Sequence, residues 1–173
     1  MGRLIAVAVV VAILGGCVLG GTTPRQPSTC ALRYRAEAVI AAPADRVWQV
    51  LADLPGYPAW NPWLRFAAGD LTPGHHVRAK VVMGAKLMDA DHVVLAVDPG
   101  ARLCWRDAGW TTLFVFGQRC RWIEPLGDGR VRFHQELILE GMFSPMAEVM
   151  YGDALRAGMA AETRALKARV ESR

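Results

Sequence analysis

The stretch that most restricts the fold is residues 40–64, where two short helical turns separate one strand from the next. Pro43 ends the preceding strand, because proline lacks an amide hydrogen and fixes its own φ, and it is well tolerated in a first helical turn. Apolar residues then recur at helical spacing, at Val47, Val50, Leu51 and Leu54. Pro55-Gly56 ends this helix, and Asn61-Pro62 forces extended backbone before Trp63. The pattern predicts two short helices followed by a strand.

The rest of the chain has the pattern of an antiparallel sheet and a long helix. Period-two alternation and turns with Gly or Pro predict seven strands, over residues 32–40, 65–68, 76–83, 86–98, 102–108, 113–124 and 131–141. Ser144-Pro145 then starts a long helix, since serine suits the N-cap and proline the first helical position. One sheet with one long and two short helices indicates an α+β fold.

The residues of the first stretch also resemble a family signature. They are Ala42-Pro43-Ala44, Val47-Trp48, Leu51, Asp53, Tyr57-Pro58 and Trp60-Asn61-Pro62. This combination resembles the segment after the first strand in the START-like superfamily (SRPBCC), in particular in its polyketide cyclase/dehydrase and lipid-transport family. The resemblance extends over residues 32–170. It implies a helix-grip fold, in which the sheet curls around the C-terminal helix and leaves a cavity, but no single function, because this scaffold supports many.

The N-terminal residues are typical of an export signal. Arg3 precedes an apolar run at residues 4–14, and small residues stand before Cys17. The sequence Leu14-Gly15-Gly16-Cys17 resembles the bacterial lipoprotein signal, in which the cysteine is acylated; an uncleaved membrane span and a plain cleaved signal are the alternatives. Each alternative places the domain outside the cytoplasmic membrane. We therefore divide the chain into a signal or anchor segment at 1–21, a flexible tether at 22–31 and a START-like ligand-binding domain at 32–173.

The charge and motif content argue against several functional classes. The formal net charge is +4 and the basic residues are scattered, so a nucleic-acid partner is not expected. In Asp89-Ala90-Asp91-His92 the alternation places His92 opposite both aspartates, so no metal site is predicted. We find no Gly-rich phosphate loop and no Cys-x-x-Cys pair, and we expect no cofactor. The oligomeric state stays open.

Alternation also assigns side chains to the concave face of the predicted sheet. In residues 113–124 the even positions are assigned inward, which leaves Arg119 and Arg121 outward; in the strand before it Trp105 points inward, and in the last strand Gln135 does. The predicted ligand-binding residues are Trp60, Trp63, Trp105, Phe114, Phe116, Gln118, Trp122, Gln135, Met146 and Met150. Such an aromatic and apolar surface fits a hydrophobic ligand. The alternative is that these side chains simply pack on the last helix.

The same assignment of side chains to inner and outer faces leads to an acid/base candidate and to a prediction for the cysteine pairing. Asp107 is the best single carboxylate for proton transfer, because it is assigned inward near a strand end. Cys104 is then outward and Cys120 inward. Residues paired across antiparallel strands share a face, so no Cys104–Cys120 disulfide is predicted.

These observations lead to three functional hypotheses. The leading one is an extracytoplasmic, membrane-tethered domain that binds a small hydrophobic or amphipathic ligand, such as a lipid, polyketide or isoprenoid-like compound. The second is a cyclase or dehydratase, in which the pocket folds a polyketide chain for ring closure and positioning supplies much of the rate. The third is a module that docks a protein partner through its sheet or its long helix.

Overall fold

The computed structural model describes residues 21–172. The strands are β1 (Leu32–Ile40), β2 (Leu64–Gly69), β3 (His76–Met83), β4 (Lys86–Asp98), β5 (Arg102–Asp107), β6 (Phe116–Pro125) and β7 (Val131–Glu140). The helices are α1 (Ala44–Ala52), α2 (Tyr57–Trp60) and α3 (Ser144–Glu171), with single 3₁₀ turns at Leu54–Gly56 and Trp110–Leu113. Cys17 and the other residues of the predicted signal up to residue 20 lie outside the described residues.

The seven strands form one antiparallel sheet in the order β1-β7-β6-β5-β4-β3-β2. Consecutive strands are neighbours except at one end, where β1 pairs with β7 from Leu32↔Leu139 to Ile40↔Val131. Helix α3 packs on one face of the sheet and buries its apolar side chains there, at Leu155, Met159, Leu166 and Val170. This arrangement confirms the predicted α+β, helix-grip fold.

The segment between β1 and β2 has the predicted two-helix form. Val47 and Leu51 of α1 are fully buried. The Asp53 side chain accepts a hydrogen bond from Gly56 N at 3.3 Å, which stabilises the turn between the helices. Asn61 Oδ1 accepts hydrogen bonds from the backbone amides of Trp63 and Leu64 at 3.0 and 2.9 Å, and these bonds direct the chain into β2.

The facing predicted for β6 is wrong. Arg119 pairs with Trp105 across β5 and β6, and Arg121 pairs with Leu103, so both arginines share the concave face with two core residues. The even positions, which the sequence pattern had assigned inward, therefore lie on the convex face: Phe116, Gln118, Cys120 and Trp122. The predicted alternation is correct, but its inner and outer faces are exchanged. The prediction places the guanidinium groups in solvent, where arginine side chains mostly lie.

The start of β6 also differs from the prediction. Gly109 has a positive φ of 89°, a conformation that other residues rarely adopt, and a 3₁₀ turn at Trp110–Leu113 follows it. The strand consequently begins at Phe116 rather than at residue 113. Phe114 lies in the connection before the strand and is 37% exposed.

The predicted absence of a Cys104–Cys120 disulfide is wrong for the same reason. The two cysteines are direct cross-strand partners on the convex face, with Cα atoms 4.1 Å apart, and they form a disulfide. The bridge packs with Leu95 and Ala96 in a small apolar cluster outside the main core. Cys30 is exposed and has a free thiol.

The segment predicted as a tether lies along the convex face. Arg25 and Gln118 exchange two hydrogen bonds, from Arg25 N to Gln118 Oε1 at 2.8 Å and from Gln118 Nε2 to Arg25 O at 3.1 Å. The Arg25 guanidinium lies 4.3 Å from the centre of the Phe116 ring. Ser28 N donates to Glu140 Oε1 at 2.6 Å. These contacts cover part of the outer surface of β6. Within residues 21–172, no helix is both long and apolar enough to cross a bilayer.

The disulfide gives a direct prediction for thiol content and stability. Unreduced protein of residues 22–173 should show one reactive thiol, that of Cys30, and three after reduction, when titrated with Ellman's reagent under denaturing conditions. Cys104→Ser/Cys120→Ser should lower the free energy of unfolding by about 3 kcal/mol, because the bridge closes a loop with a sequence separation of 16. Cys30→Ser is the control and should unfold as the wild type does. Three reactive thiols without reductant would contradict the assignment.

Candidate functional site

A cavity of about 360 Å³ lies between the concave face of the sheet and α3. Its volume is near the lower end of the range for small-molecule sites. The lining residues are Trp63, Leu64, Val81, Met83, Met88, Asp89, Ala90, Asp91, His92, Trp105, Asp107, Ala108, Thr111, Arg119, Leu137, Leu139 and Leu155. Most of this wall is apolar, and its exposed members, among them Met88 and Thr111, mark the mouth.

A larger open groove of about 720 Å³ lies on the opposite side of the sheet, over β1, β6 and β7. It is lined mainly by charged side chains, including Arg35, Glu37, Arg132 and Glu136. Such a surface does not suit an apolar small molecule, because it would leave charges without water. We therefore take the inner cavity as the candidate site.

A histidine–carboxylate pair stands in the cavity wall. His92 and Asp107 are direct partners across β4 and β5, and Nδ1 of His92 lies 3.2 Å from Oδ1 of Asp107. The His92 ring is nearly parallel to the Trp105 ring, with centres 5.3 Å apart. Gly117 leaves room for the carboxylate, because a Cβ there would be 2.2 Å from Asp107 Oδ2. His92 is buried and Asp107 is about half exposed, so the pair joins the apolar interior to solvent.

A buried polar network forms another part of the wall around Arg119. Its Nε donates to Gln135 Oε1 at 2.9 Å, its guanidinium forms an ion pair with Glu162 of α3, and the same group lies 4.5 Å from the centre of a Trp63 ring. Glu162 Oε1 also accepts from Asn61 Nδ2 at 2.9 Å. The network therefore joins β6 and β7 to α3 and to the chain just before β2.

Gln135 extends this network along α3. Its Nε2 donates to the backbone oxygen of Met159 at 3.1 Å and to Thr163 Oγ1 at 2.8 Å. Trp63 fits against the same helix because Gly158 has no side chain; a Cβ there would be 2.4 Å from Trp63 Cδ1. The polar contacts and the close approach together determine how α3 sits over the sheet.

Arg121 is buried two residues further along β6, on the same face of the sheet as Arg119. Its guanidinium lies 3.8 Å from the centre of a Trp105 ring, and Nη1 donates to Tyr57 Oη at 3.1 Å, while that hydroxyl donates to Leu51 O at 2.7 Å. Burial lowers the pKa of Arg121. Burial also lowers the pKa of Arg119, and the neighbouring positive charge of Arg121 lowers it further. For both groups burial is the largest cause of the lower pKa, because a poorly solvated interior disfavours the charged form.

The structure brings only some of the predicted ligand-binding residues to the cavity. Trp63 and Trp105 line it, and Gln135 lies buried beside it in the network. Asp107, the predicted acid/base candidate, also lines it. The others do not line it: Trp60 packs on Tyr57, Phe116, Gln118 and Trp122 lie on the convex face, and Phe114, Met146 and Met150 are exposed. Met146 and Met150 lie in the first turns of α3.

Sequence reasoning missed His92, Arg119, Arg121 and Glu162 as interior groups. One signal was available for the arginines. A disulfide between Cys104 and Cys120 requires a shared face, and with Cys104 outward that pairing turns Arg119 and Arg121 inward. His92 had no comparable signal, because its carboxylate partner lies on another strand. Among residues 21–172, no group of three or more His, Cys, Asp or Glu side chains is placed to hold a metal ion.

The sheet closed by a long helix over an internal cavity defines a START-like, helix-grip protein. Residues 31–171 match the family described as polyketide cyclase/dehydrase and lipid transport, and the chain belongs to this family. Comparison with curated protein sequences found no match.

Solved structures with the same fold include two enzymes and one protein named only by its superfamily. The Zhui aromatase/cyclase from Streptomyces sp. R1128 is 18% identical with a TM-score of 0.70, over 82% of this chain and 94% of that one. Norcoclaurine synthase from Thalictrum flavum is 18% identical with a TM-score of 0.62, over 87% and 99%. A START superfamily protein from Mycobacterium smegmatis is 20% identical with a TM-score of 0.62, over 80% and 97%. Because nearly the whole of each neighbour is covered, the likeness extends over the whole of this fold.

The buried network gives a prediction for stability. Glu162→Gln should lower the free energy of unfolding by about 3–5 kcal/mol, because it leaves the Arg119 guanidinium buried without its anionic partner. Arg119→Met/Glu162→Leu should be closer to the wild type, since it removes both charges. Glu136→Gln, whose partner Arg35 is exposed, is the control and should have a much smaller effect. Urea denaturation measures all of these, and equal losses in Glu162→Gln and Glu136→Gln would contradict the account.

Proposed function

We propose that the protein binds a small, mainly apolar molecule with one polar group in the cavity between the sheet and α3. The observation that supports this most directly is the distribution of polarity in the wall. Apolar side chains such as Leu137, Leu139 and Leu155 form most of it. The polar groups of its inner part are His92–Asp107 and Arg119, whereas Asp89, Asp91 and Thr111 are exposed at the mouth. An apolar pocket with a few placed polar groups is the usual form of a small-molecule site.

Arg119 is the group best placed to orient the ligand. Its Nε and Nη2 contact Gln135 and Glu162, whereas within residues 21–172 its Nη1 donates to no protein acceptor. A carbonyl, hydroxyl or acidic oxygen of the ligand would accept a hydrogen bond there without breaking the network. A hydrogen bond from a charged donor is stronger than one between neutral groups, so this contact would select ligands with an oxygen at the buried end.

We place this activity outside the cytoplasm, with the chain held at a membrane by its N-terminal segment. Two observations support the placement. The sequence before residue 21 has the basic, apolar and small-residue regions of an export signal, with Cys17 at the position of a lipoprotein cysteine. The Cys104–Cys120 disulfide is of a kind that persists in oxidising compartments and is rare in the cytosol.

A substitution that fills the cavity tests its assignment as the ligand-binding site. Val81 lines the cavity and is partly buried, so Val81→Trp would place an indole in the space that the ligand occupies. We expect the variant to bind the hydrophobic probe 1-anilinonaphthalene-8-sulfonate at least about tenfold more weakly, which corresponds to ~1.4 kcal/mol of binding free energy. Fluorescence titration gives the affinity.

Val39→Trp is the matched control, because Val39 is 40% exposed and lies outside the cavity. This variant should bind the probe as the wild type does. Equal affinities for Val81→Trp and the wild type, with both folded by circular dichroism, would show that the probe binds elsewhere and would overturn the cavity assignment.

A second candidate function is a ring-closing enzyme, and the His92–Asp107 pair favours it. With Nδ1 facing Asp107, Nε2 of His92 would accept a proton from a carbon next to a substrate carbonyl. The resulting enolate carbon would attack a second carbonyl of the same molecule, and the imidazolium would return the proton to the new alkoxide. Asp107 would stabilise the imidazolium between these steps. His92→Gln separates the two functions, since it removes proton transfer and leaves the apolar wall in place.

A further inference from the structure

Exposed apolar side chains that the binding site does not use lie beside one rim of the cavity mouth. Three of them, Trp110, Leu113 and Phe114, belong to the connection between β5 and β6. Trp110 is 71% exposed. Thr111 in the same turn lines the cavity, so this connection forms one rim of the mouth.

The connection between β7 and α3 and the first turns of α3 continue this surface. Their exposed apolar residues are Met142, Phe143, Met146, Val149 and Met150, of which Met142 is 72% and Val149 87% exposed. We call these five residues and the three of the β5–β6 connection the mouth patch.

The two halves of the mouth patch are in contact. The Phe114 ring lies 5.6 Å from the Phe143 ring and 6.1 Å from the Trp110 ring, and Phe143 N donates to Phe114 O at 3.2 Å. The start of α3 is held to the sheet on its other side, where Glu148 accepts a hydrogen bond from the Tyr34 hydroxyl. These contacts hold the mouth patch in place, so it is an ordered surface rather than a frayed helix end.

Charged residues are also few in and around the mouth patch. Residues 108–115 and 141–147 contain no Asp, Glu, Lys or Arg, and the carboxylate of Glu148, which follows, is bound by the Tyr34 hydroxyl and by Arg156. The acidic residues at the mouth are Asp89, Asp91 and Asp107, and they are paired with Lys80, His76 and His92. Contiguous exposed apolar surface of this kind marks a contact site for a protein or a membrane. Aromatic and apolar side chains without a basic cluster favour a lipid interface that does not depend on anionic lipid.

The position of the first described residues indicates which partner contacts the mouth patch. Gly21 O accepts a hydrogen bond from Arg106 Nε at 3.4 Å, and Arg106 is four residues before Trp110. The segment that we propose as the membrane attachment, residues 4–14 and Cys17, therefore precedes a point at the end of β5, close in sequence to the β5–β6 connection of the mouth patch. An attachment at that point holds this end of the molecule near the bilayer surface.

We propose that the mouth patch inserts into the bilayer surface and turns the cavity mouth toward the lipid. The inference rests on the proposed membrane attachment and deepens the proposed ligand binding. An apolar ligand would then pass between the bilayer and the cavity without crossing water. The ligand class that follows is one dissolved in the membrane, with an apolar body and an oxygen-bearing end for Arg119.

Co-sedimentation of residues 22–173 with phosphatidylcholine vesicles tests this proposal without the N-terminal segment. The wild type should bind, and high salt should not release it. Trp110→Ser/Met142→Ser/Val149→Ser should lower the partition coefficient at least about tenfold, because it removes three exposed apolar groups from the interface. All three side chains are mostly exposed, so the variant should stay folded.

Leu126→Ser is the matched control, because Leu126 is 37% exposed and follows β6 at the end away from the mouth. It should bind vesicles as the wild type does. In the full chain on vesicles, amide exchange should slow in residues 108–115 and 141–150 relative to detergent, but not around Leu126.

Three results would overturn the proposal. They are a wild type that stays in the supernatant, binding that requires anionic lipid and is lost in high salt, and a wild-type dimer that the triple variant converts to a monomer. The last result would make the mouth patch a protein interface. Val81→Trp distinguishes failure of this proposal from failure of the proposed ligand-binding cavity. That variant should lose affinity for the fluorescent probe and still bind vesicles.

Discussion

The ion pair between Arg119 and Glu162 is the constraint on which the arrangement of sheet and helix depends. A guanidinium that is 5% exposed is tolerated only with partners for its charge and its donors, and these come from α3, from Gln135 of β7 and from the ring of Trp63. Glu162 in turn holds Asn61, whose side chain directs the chain into β2. A shift of α3 along the sheet would break these contacts together, so the helix has one permitted position.

That position leaves a cavity with two kinds of wall. Apolar groups of the sheet and of α3 form the larger part, and Arg119 brings a cation to the inner side. His92 and Asp107 stand where the wall meets solvent, with the histidine flat against Trp105. The same network thus stabilises the fold and supplies the polar contact of the site. This double role explains why so small a domain contains a buried charge, although its desolvation costs free energy.

Much of the fold was predictable from local patterns, whereas much of the site was not. The bounds of β1, β3 and β4 follow from alternation and from turns with Gly and Pro, which act within a few residues. The parity of β6 depends on partners far away in sequence: Glu162 and Gln135 make Arg119 an interior residue, and Cys104 makes Cys120 an outer one. His92 and Asp107 are 15 residues apart and meet only through strand pairing.

The central claim is that the cavity holds an amphipathic small molecule in the cell. Native mass spectrometry of the wild type and Val81→Trp, each purified from the natural host without delipidation, tests it most directly. We predict a wild-type mass with an added component that leaves on denaturation and proves to be an apolar molecule with an oxygen-bearing end, and an unliganded mass for Val81→Trp. Unliganded masses for both, even after incubation with a lipid extract of the host, would contradict the account.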